Sequence, residues 1–136
     1  MKAERVKELT EKITKRIIDT LGDRVDLIVL FGSVARGESQ PLSDIDIGVR
    51  TSAPHEQWSE IQLDLLGLFD MSKDPAIDVV LLNEASLTLQ FRVIRDGRVL
   101  FERRPGLWEE YVELVLQRYP DWAAYIDRYL RESVGV

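Results

Sequence analysis

FGSVARGESQPLSDIDIGV, residues 31–49, is the stretch on which the reading of this chain turns. An apolar segment ends at Phe31, a Gly-Ser pair and a polar loop follow, and Asp44 and Asp46 then stand in a run of isoleucines. Side chains alternate across a strand, so Asp44 and Asp46 share one face while Ile45 and Ile47 enter a core on the other. Two carboxylates about 4 Å apart repel by roughly 1 kcal/mol in water and about 4 kcal/mol at an effective dielectric of about 20. Such a pair either sits at a solvated strand edge or holds a cation that offsets the repulsion. Magnesium suits the second case, because it takes oxygen from one or two carboxylates and completes its shell with water and phosphate.

The residues before the pair fit a phosphate ligand. Gly32 lacks a Cβ, so its backbone can approach a bound group closely. Ser33 adds a hydroxyl, and the amides after it can face phosphate oxygens. Arg36, one helical turn beyond Ser33, can neutralise phosphate with its planar fork, or pair at the surface with Glu38 or Asp44. Neither G-x-x-x-x-G-K-[ST] nor G-x-G-x-x-G occurs, which excludes the standard P-loop and dinucleotide motifs.

Outward from this stretch, Val6, Leu9, Ile13, Ile17 and Leu21 recur at helical spacing, which predicts a helix over 3–21 ended by Gly22. VDLIVLF (25–31) reads as a strand covered on both faces, and DIDIGV (44–49) as a second. The short link between these two favours antiparallel pairing over a parallel crossover. A helix over 55–71 presents Trp58, Ile61, Leu65, Leu68 and Phe69 on one side. IDVVLL (77–82) is a third strand. Asp78, near its start, is a turn cap or a ligand, and Asp74, followed by Pro75, is the better turn residue. A helix closed by Gly97, a short strand RVLFE and a final helix from Leu107 to about Glu132, breaking near Pro120, complete the chain. Strands alternating with helices predict an α/β (α+β) domain, a small mixed β-sheet flanked by helices with a C-terminal helix or bent helix pair.

The 136 residues suit a single domain, 1–136, and 45% hydrophobic with 31% charged content is enough for a core. There is no cysteine, which excludes disulfides, thiolate zinc sites and cysteine nucleophiles. The charged N-terminus lacks a secretory h-region, and no apolar run nears the roughly 20 residues that span a bilayer. A cytoplasmic protein is expected. A net charge of −6 disfavours direct nucleic-acid binding, whereas a small anion can still bind where a metal inverts the local field. His55, in a turn-like stretch, is expected to be solvated.

Gly32-Ser33, ten residues, then Asp44-Ile45-Asp46 resembles the G-S-x10-D-x-D pattern of the DNA polymerase β-like nucleotidyltransferase superfamily. The fuller string GSVARGESQPLSDIDIGV is similar to its minimal nucleotidyltransferase (MNT) branch, and the likeness runs from the first helix through the strand near residue 100. The resemblance implies that Asp44 and Asp46 hold two magnesium ions bridging the phosphates of ATP, manganese suiting the same oxygen donors. Asp78 matches the third family carboxylate, completing the second metal site and helping to deprotonate an acceptor hydroxyl. Gly32, Ser33 and Arg36 would bind the nucleotide. The reaction implied is in-line attack on the α-phosphate with loss of pyrophosphate.

Relatives with separate acceptor domains are longer, so another molecule is expected to complete the acceptor site. The stretch VVLLNEASLTLQFRVIRDGRVLFERRP resembles the tail of MntA-type antitoxins of HEPN/MNT pairs. That likeness implies a cognate HEPN-domain toxin as partner and transfer of AMP to a hydroxyl on it, a tyrosine in the family. Two alternatives stay open: an antitoxin acting by stoichiometric binding with little catalysis, and a transferase for a small-molecule or other protein hydroxyl. Trp108, Tyr111, Leu114, Val115, Tyr119, Trp122, Tyr125 and Tyr129 recur at helical spacing in the last helix. Such a stripe serves either a core or a partner interface.

Overall fold

The computed structural model describes residues 3–37, 44–69 and 76–118, together with positions 124, 128, 131 and 132. The Asp74–Pro75 turn, the Pro120 break, Glu38 and the aromatics Tyr119, Trp122, Tyr125 and Tyr129 lie outside the described residues. The elements follow as α1 (Ala3–Leu21), β1 (Val25–Phe31), α2 (Gly32–Ala35), β2 (Ile45–Thr51), α3 (Trp58–Leu66), β3 (Ile77–Leu81), α4 (Leu87–Asp96), β4 (Arg98–Glu102) and α5 (Leu107–Arg118).

The strands form one mixed sheet in the order β3-β2-β1-β4. β1 lies antiparallel to β2 and to β4, and β2 runs parallel to β3, with α3 in the connection. The antiparallel β1–β2 pair is the one that a short link permits. β1 is central and buried along nearly all its length. Asp26 falls at the irregularity where the β1–β2 register shifts, so its polar side chain interrupts the ladder and not the core.

Strand alternation sorts the core into two layers. Ile28 and Leu30 of β1 and Ile45, Ile47 and Val49 of β2 pack against Ile13, Ile17 and Leu21 of α1 and Ile61 and Leu65 of α3. On the other face Leu27, Val29 and Phe31 meet Leu82, Val93 of α4, and Tyr111 and Val115 of α5. Fully burying one such aliphatic side chain contributes about 1.5–3 kcal/mol, so the α1 stripe read from its spacing is what fastens that helix. The first turns of the aromatic stripe are therefore core: Tyr111 is 2% exposed, and its hydroxyl donates to Gln90 Oε1 at 3.3 Å. His55 is exposed, edge-on to Trp58.

Gly97, between α4 and β4, has an ordinary backbone, yet a Cβ there would run into the Val93 carbonyl oxygen and lie 2.6 Å from Trp108 Cη2. Gly97→Ala is expected to lower stability by about 1–3 kcal/mol through overpacking, read as a lower urea midpoint at unchanged slope.

Candidate active site

The sheet brings the acids together by register. Asp46 is the Cα partner of Phe31 across the antiparallel pair and of Asp78 across the parallel pair. Adjacent strands lie about 4.8 Å apart, so the Asp46 and Asp78 backbones are direct neighbours. Their strand neighbours Ile45, Ile47, Ile77 and Val79 all pack toward α1 and α3. Asp46 and Asp78 accordingly face the side that carries α4 and α5, and Asp44, just ahead of β2, has the same parity. Asp44 and Asp78 are exposed, whereas Asp46 is half-buried. Burial pushes the Asp46 carboxyl up to about 6, and Asp78 adds to the rise; Arg92 opposes it, with lesser effects from Asp44 upward and Arg36 downward.

Gly32 ends β1 with φ +79°, a conformation L side chains rarely adopt, and any Cβ there would overlap Asp46 Oδ2. A glycine is therefore required twice over, for its backbone and for the closeness of the carboxylate. One turn of helix follows: the Arg36 amide donates to Gly32 O at 3.2 Å, and Gly37, at φ +75°, donates to Val34 O at 3.1 Å. Ser33 sits half-buried in that turn, beside Gly32.

Arg36 reaches across to α4, where its Nη1 donates to Asp96 Oδ2 at 2.8 Å. Arg95 grips the same carboxylate with two bonds of 2.7 and 2.8 Å. The Asp96 side chain is only 3% exposed. Burial would raise its carboxyl, but the bonds and charge of Arg95 and then Arg36 outweigh that and hold it below the usual carboxylate range.

Among the described residues, no three acidic or histidine side chains converge tightly enough to encage one ion. The donor set is nonetheless the one magnesium favours, since it accepts one or two carboxylates with water and phosphate completing the octahedron. A half-buried carboxylate pushed toward neutrality first by burial and then by an acidic neighbour gains most from a cation. Asp44, Asp46 and Asp78 are the residues that would hold it.

Reading by motif passed over Arg92 and Asp96. The only signal is an Arg-x-x-x-Asp pair, 92 and 96, on one side of the helix before Gly97.

The polymerase beta nucleotidyltransferase family model matches residues 11–105, from within α1 to just past β4. The chain belongs to that family. Among curated proteins no sequence matches significantly. This nucleotidyltransferase resembles a solved toxin–antitoxin structure with AMP-PNP at 25% identity and TM-score 0.58, covering 89% of this chain and 98% of that one. A mutant MntA toxin–antitoxin structure is similar at 24% identity and TM-score 0.63, with 92% and 98% covered. A Shewanella oneidensis structure of a tri-AMPylated HEPN toxin with its MNT antitoxin is similar at 24% identity and TM-score 0.53, with 89% and 95% covered. These last two likenesses show the fold. No described helix of this nucleotidyltransferase is long and apolar enough to cross a membrane.

Proposed function

We propose that this nucleotidyltransferase is an antitoxin that transfers AMP from ATP to a hydroxyl, a tyrosine by family likeness, of a cognate HEPN-domain toxin. The observation that carries the reading is the register that sets Asp46 beside Asp78 next to the positive-φ turn at Gly32. Support for ATP and for a toxin partner comes from the likeness to the AMP-PNP toxin–antitoxin structure over nearly its whole length.

In this reading Asp44, Asp46 and Asp78 are the residues that would hold divalent metal at the triphosphate. Magnesium bound there supplies charge stabilisation at the attacking and leaving oxygens. Gly32 and Ser33 let the backbone and a hydroxyl approach the phosphates, and Arg36 borders them. Asp78, exposed at the outer strand, takes the proton of the acceptor hydroxyl as its oxygen bonds to the α-phosphorus. The bond from that phosphorus to pyrophosphate breaks on the opposite side. The protein supplies position and charge and forms no covalent intermediate.

The test incubates the protein with the product of its neighbouring reading frame, α-labelled ATP and magnesium. The expected result is label on the partner, lost on adding a chelator. Inhibition of the partner without label would replace transfer by stoichiometric binding. An unlabelled, unaffected partner would move the acceptor to another hydroxyl.

A further inference from the structure

We propose that Arg92 is a phosphate-binding residue of this site, its guanidinium meeting the nucleotide's phosphate chain from α4 while Asp96 holds Arg36 in place at the bend. The inference rests on the nucleotidyltransferase reading above and names the cation that reading lacks.

Arg92 lies on a helix built over the acids. Its neighbours Leu89 and Val93 pack in one apolar cluster with Phe31, and Phe31 is the cross-strand partner of Asp46. Four residues on, Asp96 binds Arg36 at 2.8 Å. Positions four apart share one side of a helix, so the side of α4 that carries Arg92 is the side docked on the Gly32–Gly37 turn. The charge of Arg92 is also felt at Asp46, more strongly than that of Arg36.

The two arginines differ in what already occupies them. Arg36 is committed to a nearly buried carboxylate, and withdrawing it would leave that charge short of a partner, which is strongly unfavourable. An acid in the last turn of α4 also opposes the helix dipole, so Asp96 needs both its cations. Among the described residues Arg92 has no hydrogen-bonding or ion-pair partner, although it is half-buried. A guanidinium held half out of water near the Asp46 carboxylate, with its donors unspent, suits an anion that arrives with metal. A triphosphate entering this acidic site brings further negative charge, and Arg92 offsets part of it. Arg36, by contrast, acts as a positioning residue that ties the turn to α4.

Calorimetric titration with ATP and with AMP, both with magnesium, tests this on the intact chain. Arg92→Gln is expected to weaken ATP about tenfold, the loss of one charge-assisted hydrogen bond, and AMP by less than about twofold. Arg92→Lys, which keeps the charge and loses the fork, should fall between, and it carries the comparison if Arg92→Gln does not fold. Equal affinity for ATP in variant and wild type would overturn the inference, as would equal weakening of ATP and AMP, which marks a structural role. Wild-type protein that fails to bind ATP would overturn the transferase reading along with it. ATP binding with no label on any partner would overturn only the acceptor assignment, and the ATP-against-AMP ratio would still decide Arg92.

Discussion

Asp46→Asn is expected to abolish nucleotidyl transfer, a loss of at least about 1,000-fold for removal of a charge that would hold metal against the transition state in the proposed reaction, and yet to leave the metal-free protein as stable as wild type or more so. The two halves have one cause. Asp46 is half-buried beside Asp78 and Asp44, and its carboxyl is raised from 3.8 to about 6. An acid with a raised pKa in the fold holds its proton more tightly folded than unfolded. Its contribution favours the fold below the unfolded value and disappears as pH climbs through about 6. The group is partly exposed, so solvent screening reduces the difference to about 1 kcal/mol. Urea unfolding without metal should therefore show wild type losing about 1 kcal/mol relative to the variant between about pH 4 and pH 6. A variant that keeps transfer would remove Asp46 from the site. One destabilised by more than about 2 kcal/mol would make the aspartate a structural hydrogen-bonding group.

Gly32→Ala is expected to reduce transfer by about 100-fold, the scale of a misplacement of about 1 Å at a reacting centre. Its φ of +79° is strained for alanine, and its methyl group would occupy the place of Asp46 Oδ2. The backbone strain costs about 1–2 kcal/mol, and relieving the overlap pushes the carboxylate away from Asp78 or the turn away from β2. Gly37→Ala separates the two effects. Gly37 has φ +75°, but a methyl group added there would have nothing within 4 Å among the described residues, so it carries the strain without that collision. That variant should lose comparable stability in thermal unfolding and keep transfer within about tenfold. Equal loss of transfer in both would mean that the turn's conformation matters and its closeness to Asp46 does not.

Much of this architecture was legible from local pattern. The 3.6-residue stripe of α1, the apolar run of β1 and the alternation in β2 are each set by a few neighbouring residues; the structure places α1 and β1 as read, and β2 at Ile45–Thr51 in place of 44–49, with Asp44 just ahead of it. So is the antiparallel β1–β2 pair, because a short link leaves few ways to return. Asp44, Asp46 and Gly32 stood out because each breaks a local rule: two like charges in an apolar strand, and a glycine where a strand must turn at once. Asp78 was ambiguous from its surroundings, and the parallel register with β2 is what puts it beside Asp46.

Arg36 and Arg92 mark where local pattern stops. Reading along the chain pointed to Arg36, because it follows the Gly-Ser pair, and offered Glu38 or Asp44 as its surface partners. Its bond to Asp96 joins residues 60 apart in the chain, and no spacing rule reports a contact of that kind. Nothing in its local sequence sets Arg92 apart, and it is packing over Phe31 that turns its side of α4 toward Asp46. Helices, strands and the acidic motif arise from periodicity and short-range sterics, which neighbouring residues specify. Which cation is spent on a buried partner, and which remains for a ligand, depends on how separate elements dock, and docking is settled by burial summed over the whole core.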